Sequence, residues 1–184
     1  MKHFWKLFLR TIGWNVNLTF PYTNLKKYII IVGPHTSNWD FVIGLAYRNL
    51  VGLNHAKFLG KKELFGPPFG FIFRKLGGIP VDRESSHNLV DQAVKLFSEN
   101  QEFAIALAPE GTRKKVKKLR SGFYFIAHQA GVPIIMVALD YKHRTLLFSQ
   151  PFTVTGDLEK DMVHIRKFYA PIEGKHPEQG LMDQ

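Results

Sequence analysis

His35 and Asp40, five positions apart in Pro34-His35-Thr36-Ser37-Asn38-Trp39-Asp40, are the first residues in this sequence able to do acid–base chemistry together. Histidine is the side chain whose charge changes closest to neutral pH, so its imidazole can take a proton from a hydroxyl there. A carboxylate that accepts from one ring nitrogen fixes the tautomer and leaves the other nitrogen free for that proton. On a continuous helix, positions five apart stand about 140° from one another. The pair therefore meets only if His35 lies outside the helix, on a loop folded back over a first turn that holds Asp40. The helix dipole also favours a carboxylate in that turn. A His and an Asp at this interval are common by chance, and a loop residue beside a helix cap is the plainer reading, so the pair gains weight only from its company.

The elements needed to position it are legible. Tyr28-Ile29-Ile30-Ile31-Val32 reads as a buried strand, broken by Gly33-Pro34, and Asn38 to Leu50 as a helix. His55 to Gly60 is predicted as a second strand ahead of Lys61, and Gly66-Pro67-Pro68 as a turn. Phe69 to Leu76 is a short helix stopped by Gly77-Gly78. Ile79-Pro80-Val81 is brief and extended, closed by Asp82-Arg83, and Ser85 or Ser86 caps a helix from Asn88 to Glu99. Phe103 to Leu107 is a continuous apolar strand running into Ala108-Pro109-Glu110-Gly111-Thr112-Arg113, a loop like the first in position and polarity. Ser121 to Ala130 is a helix, Ile134 to Leu139 a buried strand, and Leu146 to Val154 one or two edge strands. Asp157 to Tyr169 is a final amphipathic helix. Trp14 to Thr23 reads as a polar, turn-rich connection, and the residues after Pro171 as a loose polar tail. Strands alternating with helices indicate one α/β domain, with a largely parallel central sheet flanked by helices. Its ligand site is expected at the C-terminal ends of the strands.

Composition narrows the chemistry. The 184 residues, 45% hydrophobic, suit a single domain with a full core. Cysteine is absent, which excludes disulfides, a thiol nucleophile and cysteine metal sites. A formal charge of +10 points to an anionic partner. Six of the eight residues from Arg113 to Arg120 are Lys or Arg. They carry no aromatic among them, which argues against nucleic-acid binding, and no nucleic-acid partner is expected. Phe4, Trp5, Phe8, Leu9 and Ile12 fall within about 140° of one helical face, flanked by Lys2, Lys6 and Arg10. That pattern suits residues 1–14 either as a helix lying in a membrane interface or as one packed on the core. Arg10 interrupts this stretch too early for a signal-peptide core, and no apolar run approaches the roughly eighteen residues of a membrane span. The remaining histidines show no ligand spacing, and no metal is implied.

Four blocks now stand in order: His35-x4-Asp40, Gly77-Gly78-Ile79-Pro80-Val81-Asp82-Arg83, Pro109-Glu110-Gly111-Thr112-Arg113 and Gly131-Val132-Pro133-Ile134-Ile135. Together they resemble the glycerophospholipid acyltransferase family, the 1-acylglycerol-3-phosphate acyltransferases, over roughly residues 28 to 140. Two positions depart from the family pattern. Ala108 stands where an aromatic residue is common, and Met136 where a second proline often occurs, which bears on acyl-chain length and acceptor identity more than on chemistry.

The resemblance implies an acyltransferase-like domain over 15–170, to which the residue pattern adds an interfacial helix over 1–14 and a polar tail over 171–184. It implies an O-acyltransferase of phospholipid biosynthesis, peripheral on the cytoplasmic side of a membrane with an anionic surface. His35 would be the general base and Asp40 its partner. The donor would be an acyl thioester, either acyl-coenzyme A or acyl-carrier protein, with no bound cofactor. The acceptor would be the free hydroxyl of a lysophospholipid, lysophosphatidic acid foremost, with a lyso-lipid of another headgroup as the alternative. Arg83 and Arg113 would grip the acceptor phosphate, Glu110 would accept from the glycerol hydroxyl, and Gly111 would allow close backbone approach. Thr112 falls in the same binding block, and Lys61 would steady the oxyanion or the donor phosphates. No Gly-x-Ser-x-Gly elbow is present, so direct transfer is favoured over an acyl-enzyme.

Overall fold

A computed structural model describes residues 2–81 and 86–180. Its strands are β1 (Lys27–Gly33), β2 (Ala56–Lys61), β3 (Gly78–Val81), β4 (Phe103–Leu107), β5 (Ile134–Asp140) and β6 (Thr145–Phe148). Among the described residues these form one sheet in the spatial order β3-β2-β4-β1-β5-β6. β1 is central, with Ile29 opposite Ile105 of β4 on one side and Ile134 of β5 on the other, all parallel. Only β6 runs antiparallel, returning from β5 through a tight turn. The expectation of a largely parallel sheet in one α/β domain is met.

The helices are α1 (Lys2–Thr11), α2 (Trp39–Leu50), α3 (Gly70–Lys75), α4 (Ser86–Glu99), α5 (Gly122–Ala130) and α6 (Leu158–Tyr169). They cover both faces of the sheet, which is why the inner strands read as unbroken apolar runs rather than alternating ones. Alternate residues of β1 serve different layers. Ile29 and Ile31 join Ile105, Ile134 and Met136 under α4, α5 and α6. Tyr28 and Ile30 join Ile135, Val137 and Leu139 under α1 and α2.

The residues between α1 and β1 are less polar in effect than in composition. Trp14 and Phe20 are buried, and Phe20 packs between Tyr28 and Phe148. α1 docks on α2 through Leu9, fully buried, with Trp5, Phe8 and Ile12 partly covered. Its packing satisfies most of the apolar face that membrane insertion would otherwise explain, leaving Phe4 and Leu7 outside. Past β6, Phe152 makes a single bridge to Ile134 in place of a further strand. Asp82, Arg83 and Ser85 lie outside the described residues. No helix among the described residues is long and apolar enough to cross a membrane.

Candidate active site

β1 ends at Gly33 and α2 begins at Trp39, so His35 stands on the connecting loop at the C-terminal edge of the sheet. Asp40 lies in the first turn of α2 and is buried. One of its oxygens, Oδ2, accepts from His35 Nδ1 at 3.0 Å and from the backbone N–H groups of Thr36 and Ser37, both at 2.8 Å. The loop is thus wrapped around the carboxylate, which is how residues 140° apart on a helix come into contact. Because Oδ2 is an acceptor for all three, Nδ1 carries the ring proton and Nε2 is left with its lone pair.

Asp40 Oδ1 accepts from the hydroxyl of Tyr141, at 2.5 Å. Tyr141 follows β5, the strand next to β1, and sequence reasoning missed it. The signal that was available is its position at the exit of an inner strand on the site edge. Burial, reinforced by the Asp40 hydrogen bond and charge, pushes its phenol well above the ordinary value, so it remains a donor.

Glu110 arrives from the loop after β4, the other neighbour of β1. It is buried, and its Oε2 accepts from the backbone N–H of His35 at 2.6 Å. One oxygen expected to meet a substrate hydroxyl is therefore committed to holding the His35 loop. Burial raises its carboxyl to about 7, against the opposing pull of the His35 N–H and charge. The Tyr169 ring packs against Gly33 beside it, and the Tyr169 hydroxyl donates to Ile31 O at 2.7 Å.

Gly111 turns the loop at φ 67°, where a side chain would also strike Arg120, whose Nε lies 2.5 Å from the position a Cβ would take. Arg120 N–H donates to Pro109 O, and Leu119 is buried, so the basic run folds back onto its own starting turn. Thr112 Oγ1 accepts from Lys114 N–H within that turn. The Arg113 guanidinium donates to Asn38 Oδ1, which brings it onto the His35 loop. Lys61 is exposed at the exit of β2, separated from β1 by β4. The structure therefore gathers His35, Asp40, Glu110 and Arg113, and leaves Lys61 on the flank of the same edge. Arg83 lies outside the described residues.

The segment after Pro171 departs from the expected loose tail as far as Gly180. It crosses the site loop: His176 N–H donates to Thr36 Oγ1, and Tyr141 N–H to Glu173 O. With its amide turned to the orientation that satisfies both ends, the Gln179 side-chain nitrogen donates to the carbonyls of Arg113 and Thr36. Polar composition concealed this, because the contacts are made by backbone and amide groups rather than by an apolar face. The Lys175 ammonium sits 5.1 Å from the Trp39 ring centre. With Ile12, Trp14, Ile43 and Tyr141 these two line a pocket of about 250 Å³ beside the dyad.

A second His–Asp contact, His143 Nδ1 to Asp140 Oδ2 at 2.7 Å, has a different character. His143 N–H donates to the same carboxylate and the ring is largely exposed, so the pair closes the β5–β6 turn. His35, by contrast, is held from below by Glu110 and from the side by Asp40, with its remaining nitrogen free.

A family model described as Acyltransferase matches residues 16–140. A probable 1-acyl-sn-glycerol-3-phosphate acyltransferase of Mycoplasma pneumoniae is 29% identical over 141 residues, which is 72% of this chain and 52% of that protein. The chain thus spans about half the length of that curated relative. The crystal structure of the 1-acyl-sn-glycerophosphate (LPA) acyltransferase PlsC from Thermotoga maritima superimposes with a TM-score of 0.58 at 19% identity, covering 92% of this chain and 73% of that one. At that identity the likeness speaks for the fold.

Proposed function

This chain belongs to the acyltransferase family, and we propose that it moves a fatty acyl group from an acyl thioester to the free hydroxyl of a lysophospholipid, 1-acylglycerol 3-phosphate in the first place. The observation that carries this reading is the His35 Nδ1–Asp40 Oδ2 contact at 3.0 Å, which leaves Nε2 as the free base of a loop fixed on both sides. Nε2 removes the hydroxyl proton as the oxygen attacks the thioester carbonyl. The carbon–sulfur bond then breaks, and the imidazolium returns its proton to the leaving thiolate. Asp40 accepts from the imidazolium throughout, and Tyr141 holds the other carboxylate oxygen in place. Arg113 offers paired donors to the acceptor phosphate, since a guanidinium matches phosphate oxygens. The donor is acyl-coenzyme A or acyl-carrier protein, and the basic run from Arg113 to Arg120 suits the anionic surface of either. Catalysis takes place at an anionic membrane surface, with the protein peripheral on its cytoplasmic side.

The first test is thioester consumption by the purified protein, with acyl-coenzyme A and acyl-carrier protein supplied separately and lysophosphatidate added or withheld. Acceptor-dependent release of thiol with either donor is the expected result. Silence with both, from folded protein in detergent or vesicles, would sink the reading. Tyr141→Phe should lower kcat about tenfold, because a hydrogen bond to a charged group is worth about 1.5–3 kcal/mol and Asp40 Oδ1 would lose its donor. An unchanged kcat would remove Tyr141 from the mechanism. Arg113→Ala should raise KM for the phosphate-bearing acceptor about tenfold or more with a smaller effect on kcat. An unchanged KM would mean that the headgroup is held elsewhere, and a lyso-lipid without that phosphate would become the acceptor to try.

A further inference from the structure

The connection between β2 and β3 leaves the site edge of the sheet with an outward-facing apolar cluster. After Lys61 come a 3₁₀ turn over Lys62–Phe65, the turn at Gly66-Pro67-Pro68, and α3. Phe65 points inward against Gly60 and Gly78. α3 is locked onto that turn at Gly70, where an added Cβ would lie 2.0 Å from the Phe65 carbonyl oxygen. With the anchor turned in, its neighbours are turned out. Phe69 and Phe71 are 64% and 66% exposed, and Leu64 and Ile72 stand beside them, also exposed. Four large apolar side chains uncovered within nine residues of one connection are the kind of exposure that marks an interaction surface.

Charge identifies what covers it. Among the described residues of this connection, Lys61, Lys62, Arg74 and Lys75 are all exposed, against the single acidic residue Glu63. A second copy of this chain would bring the same cations face to face across a twofold axis. An anionic bilayer complements both parts: aromatic and aliphatic groups enter the boundary between headgroups and acyl chains, while lysine stems lie along it with their ammonium groups at the phosphates. We propose that the β2–β3 connection is a membrane-docking element, with Leu64, Phe69, Phe71 and Ile72 inserted into an anionic leaflet and Lys62 and Lys75 held at its surface. It lies in the same layer of the fold as α1, on the other flank of α2, so the membrane contact is not the property of residues 1–14 alone. The choice of a lipid surface rests on the acyltransferase reading; its test does not use turnover to detect docking.

The absence of cysteine makes that test specific. Phe71→Cys, Phe4→Cys and Val163→Cys are each labelled with an environment-sensitive dye; Val163 is an exposed residue of α6, on the opposite face of the sheet. With mixed phosphatidylcholine–phosphatidylglycerol vesicles, the label at position 71 is expected to brighten and shift to the blue, and the label at 163 to stay unchanged. Pure phosphatidylcholine should give a much weaker response. The triple variant Phe69→Ser, Phe71→Ser, Ile72→Ser should lose at least about tenfold in vesicle affinity on sedimentation, since each large side chain contributes through its buried area. It should keep turnover with a dispersed short-chain acceptor. An unresponsive label at 71, sedimentation of the triple variant like the native protein, or a dimer in light scattering that the triple variant abolishes would each overturn the proposal. No thiol release by native protein that docks as described would instead count against the acyltransferase reading.

Discussion

His35→Ala is expected to lower kcat by about 10²–10⁴-fold, the usual worth of a positioned general base, with little change in KM for the acceptor. The loop itself should survive, because the Thr36 and Ser37 N–H groups still donate to Asp40 and the backbone of residue 35 still donates to Glu110. Only the side-chain nitrogen is lost. Asp40→Asn should fall in the same range by another route. An amide that turns its nitrogen towards Nδ1 selects the wrong tautomer and protonates the nitrogen that must act as base. If the acyl group moves directly, no acyl-enzyme should accumulate when the acceptor is withheld. A covalent adduct in the intact-mass spectrum, or a His35→Ala variant within a fewfold of the native rate, would overturn the base assignment.

The reach of the sequence follows from what each signal depends on. β1, β4 and β5 were legible because both faces are covered, so their runs are apolar; Gly33-Pro34 and Pro109 follow the first two, and Gly131 sets the third off from the helix before it. His35, Asp40, Glu110 and Arg113 lay in the polar loops between these runs, and a sheet with this order delivers those loops to one edge. Glu110 was found but given a different partner, since nothing in its neighbours' types says that its oxygen meets a backbone N–H 75 residues away. Tyr141 and Gln179 were invisible for the same reason. Each acts through a long-range polar contact with no periodicity behind it. α1 poses the complementary ambiguity. Its amphipathic pattern is real, but the pattern alone does not distinguish burial against α2 from burial in lipid, and the structure assigns most of that face to α2.

Glu110 also gives the protein a pH-dependent cost. Its carboxyl is raised by burial from 4.5 to about 7 in the folded state, while the unfolded chain keeps the lower value. Between the two, the native state binds more protons than the unfolded one, so the free energy of unfolding must fall as pH rises. The fall begins near pH 4.5 and is complete a little above 7, and a shift of this size corresponds to about 3 kcal/mol. Glu110→Gln keeps an oxygen for the His35 N–H and removes the charge. Its stability, read from urea unfolding at about pH 5 and about pH 8, should be nearly level with respect to this group and should exceed the native value at the higher pH. Curves that stay parallel across that range would mean that Glu110 does not carry the burden. The same variant is expected to turn over more slowly, because a carboxylate beside His35 favours the imidazolium that forms in the reaction. A substitution that stabilises the fold and slows the chemistry would identify the buried charge as retained for the site at the expense of the fold.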